Sequence, residues 1–161
     1  MSNNQSPYML ETATDYLRAA KVLWGQPNLG GVAVVNAAIA IEIILKSFIA
    51  TVSDNSRKGG VAEQYEILGK RLHTLTELAE RIDTGIYNKL GFFKYEECFK
   101  KYNNLFVESR YPYEQTSRSG YSEIPIKVGG EMFRSTMNWY KETGNKDPWV
   151  VMYPEVAGGG I

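Results

Sequence analysis

The chain has 161 residues, enough for one domain with its own core, and its 18 Lys and Arg balance 18 Asp and Glu, so no global field announces nucleic acid or an acidic solvating tail. A local patch would have to meet any anionic ligand. The lone cysteine, Cys98, excludes a disulfide framework or a cysteine-built metal box, and the polar start MSNNQSPY lacks the basic and apolar regions of a secretory signal; the expected setting is a reducing cytoplasm.

Ser6-Pro7 predicts a helix start, and Met9, Leu10, Ala13, Tyr16, Leu17, Ala20, Leu23 and Trp24 recur at helical spacing to about Trp24. Gly25 to Gly31 breaks this helix. From Val32 to Ala50 the chain is apolar on almost every side, which predicts a second helix at the centre of the fold. The stretch from Leu29 to Ala50 also has the length of a membrane span, about 20 residues. Asn36, Glu42, Lys46 and the Gly30-Gly31 start argue against one, since a charge near a span's centre costs about 3 kcal/mol on insertion scales. Within Ala37 to Ala50, AAIAIEIILKSFIA, Glu42 and Lys46 stand one helical turn apart. Burying an unpaired carboxylate is costly, so Glu42 is expected to reach water, pair with a base or contact a ligand.

Ser53 to Gly60 reads as an exposed loop, with a short turn near Ala62 to Leu68. Thr74-Leu75-Thr76-Glu77 has the form of a capping box and opens a third helix that presents Leu75, Leu78, Ala79 and Ile82. After Gly91 a fourth helix is expected, with Phe92, Tyr95, Phe99, Tyr102, Leu105 and Phe106 as an aromatic stripe, Arg110 on the same face and Pro112 as the stop. Tyr113 to Pro125 reads as loop. A fifth helix carries Phe133, Met137 and Tyr140 and stops at Gly144. Glu123 to Val128 and Val150 to Tyr153 are candidates for short extended pieces. In the tail, Trp149, Val150, Val151 and Tyr153 are expected to dock on the bundle or on a neighbour, and Ala157 to Gly160 to be unstructured. The expected architecture is all-α: an up-and-down bundle of about five helices over residues 1–144, then an irregular C-terminal tail, 145–161.

Three groups carry the candidate chemistry. Arg110 extends an apolar stripe, so its guanidinium needs an acid or a phosphate, and Glu42 is the natural partner, either as a structural ion pair between helices or as part of a polar site at the bundle's edge. His73 is the only histidine and therefore the only side chain with an ordinary pKa near neutrality. With Lys70 and Arg71 it makes a basic approach to a helix start, Lys70-Arg71-Leu72-His73, suited to phosphate; the plainer reading is that His73 only packs before the cap. Tyr111, Tyr113 and Tyr121 with Arg110 and Arg118 have the composition of a base-stacking loop, or of an ordinary surface segment with a partner interface. The nucleophile elbow, the phosphate-cradling loop ending in Lys-Ser/Thr and the His-Glu-x-x-His helix are all missing, so no catalytic residue, metal ligand or cofactor is assigned.

Ala40-Ile41-Glu42-Ile43-Ile44-Leu45-Lys46, then His73-Thr74-Leu75 with Leu78, then Arg110-Tyr111-Pro112, follow one another in an order that resembles the HEPN superfamily, the higher eukaryote and prokaryote nucleotide-binding domains. The likeness spans roughly residues 8 to 143. It implies an up-and-down helical bundle that usually forms homodimers, with a nucleotide or RNA site near the dimer cleft. The Arg-x4-6-His motif of the family's ribonucleases is not completed: Gln115, Thr116 and Ser117 follow Arg110 at the allowed spacing, and Glu66, Ile67 and Leu68 precede His73. The chain therefore resembles the non-nuclease branch, nucleotide-binding or accessory modules beside nucleotidyltransferases and other effectors, including toxin-antitoxin systems. Glu42, His73 and Arg110 carry over as family positions. The expectation is a cytoplasmic, non-catalytic homodimer that binds a nucleotide, an RNA phosphate or a partner protein through Glu42, Lys46, Lys70, Arg71, His73, Arg110 and Tyr111. Its alternatives are a divergent, toxin-like ribonuclease using His73 with Arg110 or Arg71, and a purely structural dimerisation module.

Overall fold

A computed structural model describes residues 9–52, 65–66, 72–105, 108 and 120–161. Its helices are α1 (Met9–Trp24), α2 (Gly30–Ser47), α3 (Leu75–Glu80), α4 (Thr84–Leu90), α5 (Glu96–Lys101), α6 (Ile124–Glu142) and α7 (Pro148–Met152), with 3-10 turns at Phe92–Tyr95 and Glu155–Ala157. The fold is an all-α bundle. Among the described residues the one β element is an antiparallel contact of β1 (Thr51–Val52) with β2 (Tyr65–Glu66), in the register Thr51 to Glu66.

The apolar second helix is central, as its composition demands. α2 buries Ala33, Val34, Ala37, Ala38, Ala40, Ile41, Ile44 and Leu45, and packs against α1, α6 and α3. By length and composition α2 could cross a membrane, but half of it is buried inside the fold, and that packing accounts for its apolar character. Small residues let the three long helices approach closely. A Cβ added at Gly129 of α6 would lie 2.7 Å from Leu17 Cδ2 of α1 and 3.5 Å from Ile41 Cγ1 of α2.

Helix starts and stops follow cap chemistry, but not always as the sequence suggests. Thr74 stands at the N-cap of α3, but its hydroxyl bonds the Glu77 carboxylate and makes no bond to a backbone amide, so the reciprocal capping box does not form. Asn103 takes over: its Oδ1 accepts from the Thr76 amide at 3.0 Å, and its Nδ2 donates to Thr76 Oγ1 at 2.8 Å. A short helix the sequence did not announce, α4, precedes the expected break: Asp83 caps it through the Ile86 amide at 3.0 Å and Gly91, at φ 71°, ends it. Beyond Gly91 the expected single fourth helix is divided into the 3-10 turn Phe92–Tyr95 and α5. Phe92, Phe99, Tyr102 and Leu105 still point inward.

The two candidate extended pieces are helical. Glu123 to Val128 enters α6, whose first turn holds Pro125, and Val150 lies in α7, where the Asp147 carboxylate accepts from the Trp149 and Val150 amides and Pro148 holds the first position. A proline with φ preset for helix, joined in α7 by the capping Asp147, outweighs the strand preference of valine. The tail docks on the bundle, with Phe133, Trp149 and Tyr153 forming an aromatic cluster of centroid separations 5.3 to 6.3 Å. Its glycine-rich end, expected to be unstructured, is tied down. The Ile161 amide donates to Tyr153 Oη at 2.9 Å, Arg134 donates to the Ile161 carbonyl at 3.2 Å, and Arg18 donates to the Ala157 carbonyl.

Candidate functional site

Glu42 leaves α2 one turn before its C-terminal end, from a stretch in which Ile41, Ile44 and Leu45 are fully buried. Its carboxylate is shared. Oε1 accepts from Lys46 Nζ at 2.5 Å and lies 2.9 Å from His73 Nδ1. The Glu42 and Lys46 side chains keep 17% and 18% of their exposure, whereas His73 keeps 64%. The acid in the apolar helix thus both reaches water and pairs with bases, which removes the penalty of an isolated buried charge. Lys46 is also well placed electrostatically, because a cation in the last turn of a helix faces the negative end of the backbone dipole.

His73 is held from one edge and open at the other. An ionised carboxylate only accepts, so the 2.9 Å contact places a proton on His73 Nδ1, and Nε2, on the far side of the ring, points away from Glu42. Orienting an imidazole with a carboxylate is the arrangement that prepares one nitrogen to meet a ligand or a proton. His73 does more than pack before a cap. It joins α2 to the segment that leads into α3.

Glu42, Lys46 and His73 are brought together; Lys70, Arg71, Arg110 and Tyr111, together with the proposed Glu42 to Arg110 pairing, lie outside the described residues. The Glu42 to His73 contact was not foreseen. The two residues are 31 positions apart, and the available signal was only that α2 holds one acid and the chain one histidine. Of the tyrosine-rich stretch, Tyr121 is described and is committed to packing: its ring carbon would lie 2.9 Å from a Cβ added at Gly31. No group of three or more metal-ligating side chains occurs among the described residues.

The fold and site define an all-α bundle with a carboxylate-centred polar cluster on the rim of its core helix. Compared with family models, curated proteins and solved structures, the chain matches none.

Proposed function

We propose that the chain is a non-catalytic helical domain that binds a phosphate-bearing ligand, a nucleotide or an RNA phosphate, at the Glu42, Lys46 and His73 rim, and that it works in the cytoplasm as a homodimer or beside an effector such as a nucleotidyltransferase. The observation that carries this reading is the single Glu42 oxygen shared by Lys46 and His73, which aligns two nitrogen donors at a half-open surface. A phosphate offers acceptor oxygens to the remaining N–H groups of Lys46 and, when the imidazole is protonated, to His73 Nε2. The HEPN-like order of Glu42, His73 and Arg110 supports the same class of ligand. Melting curves at low ionic strength with nucleotides provide the test: a concentration-dependent rise is expected, lost in Lys46→Ala and His73→Ala variants that still fold. No shift with any nucleotide or short RNA removes the ligand from the proposal, and a monomer by light scattering removes the homodimer.

One observation favours a second reading, a divergent ribonuclease. Glu42 holds His73 by Nδ1 in the pose of a general base, and among the described residues no hydrogen bond engages Nε2. Incubation with total RNA in chelator separates the two readings, since the non-catalytic domain leaves RNA intact, whereas cleavage abolished in both His73→Ala and Glu42→Gln establishes the enzyme.

A further inference from the structure

Away from the Glu42 cluster, α3, α4 and α5 enclose a cleft of about 260 Å³. Its floor is apolar and tightly built, formed by Ala79, Ile82 and Phe99, all buried. Tyr87 forms one wall, with its ring edge-to-face on the buried Phe92 at 5.9 Å. Glu80 and Glu96 stand at the rim. The walls are pinned: the Asn103 to Thr76 bonds tie α3 to the chain after α5, and the Asp83 cap sets the start of α4. The cavity is thus shaped before any ligand arrives.

The rim charges are not used up internally. Among the described residues Lys100 is the one cation lining the cleft; it is drawn to Glu97 at 3.2 Å, and Glu97 does not line it. Among the described residues neither Glu80 nor Glu96 forms an ion pair. Glu96 does receive the Tyr87 hydroxyl, but at 3.5 Å, well beyond the usual O–H···O length of about 2.7–2.8 Å. Elsewhere in the fold the same pairing is tight, with Tyr95 Oη 2.7 Å from Glu131. Burial and the neighbouring Glu96 push the Tyr87 hydroxyl up to about 12, so it stays a neutral donor with an intact aromatic ring at any physiological pH.

The geometry points to a binding site for a small organic cation, a primary ammonium on a short apolar body, in the cleft between α3, α4 and α5. The apolar body lies on Ala79, Ile82 and Phe99. The ammonium sits between the Tyr87 ring and the Glu80 and Glu96 carboxylates, where the ring quadrupole and the acids attract it together. Ligand pockets usually span about 300–1,000 Å³, so this cleft selects a ligand of a few heavy atoms. The charge at its rim disfavours an anion, which separates this site from the proposed phosphate site.

The probe is n-butylammonium chloride, titrated at low salt into the whole chain and followed by amide chemical shifts, with n-butanol and sodium butyrate as size-matched controls at equal ionic strength. Saturable shifts at Ala79, Ile82, Tyr87 and Phe99 are expected with the ammonium alone. Glu80→Gln and Glu96→Gln, both exposed and isosteric, are expected to keep the native spectrum and to raise Kd about fivefold each. The site is overturned if n-butanol binds as tightly, if no saturable shift occurs at these four residues, or if both Gln variants bind like the parent. A failed nucleotide titration leaves this site untouched, because the two share no residue.

Discussion

Cys98 and two tyrosines show how burial sets the chemistry of single side chains. Desolvation pushes the Cys98 thiol from 9.0 to about 11 against a smaller opposite pull from Lys101, and burial together with a neighbouring glutamate pushes Tyr87 and Tyr95 from 10.0 to about 12. All three are neutral when protonated, and all three bind the proton more tightly folded than unfolded. Their contribution to stability is therefore complete below pH about 9 and is lost as pH rises, through Cys98 up to about 11 and through the tyrosines from about 10 to about 12. The expected outcome is a melting temperature that falls across that alkaline window. A thiol reagent at pH 8 is expected to label Cys98 only as fast as the protein unfolds; rapid labelling of the native protein contradicts its burial. The paired Glu42 belongs to the same scale. Its apolar surroundings made a partner predictable, but one-dimensional spacing supplied only Lys46, since His73 arrives through the fold.

At the scale of elements, adjacent glycines on α6 carry opposite predictions. Gly129 faces Leu17 and Ile41 across the three-helix contact, and a side chain there must displace fully buried atoms. Gly129→Val is expected to destabilise by about 2 kcal/mol, the usual cost of overpacking. At Gly130 an added Cβ would come no closer than 3.4 Å, to Arg134 Nη1, so Gly130→Ala is expected to be neutral or to stabilise by up to about 1 kcal/mol through helix propensity. Equal losses in urea unfolding would contradict the close approach of α6 to α1 and α2. Composition and periodicity revealed α1, α2 and α6, because α1 and α6 each bury one apolar face over several turns and α2 is apolar on almost every side. The short helices were harder to read: Gly91 was legible as a break, but Asp83 and Asn103 act through a local and a distant cap without altering the apolar spacing.

Across the whole molecule, the C-terminal segment is part of the bundle. Trp149 and Val150 are buried, and Arg18, Arg134 and Lys141 hold the carbonyls of Ala157, Ile161 and Tyr153. Trp149→Ala removes a buried ring between Phe133 and Tyr153 and is expected to cost about 3 kcal/mol, lowering the melting temperature by about 6–12 °C. A loss of under one degree would show that the segment docks without supporting the core.

By itself the sequence determined that the chain is all-α and that the helix around Ile41 forms its centre. It also determined that Glu42 needs partners. Those properties follow from apolar periodicity and from the cost of an unpaired charge, both local to the residues concerned. Tertiary structure alone decided that His73 comes to Glu42 from 31 residues away, that Asn103 caps α3 in place of the local threonine, and that the glycine-rich end is held by arginines of α1 and α6. Each of these is a polar contact made after the helices pack, and a hydrogen bond between distant residues leaves no period in the chain that makes it.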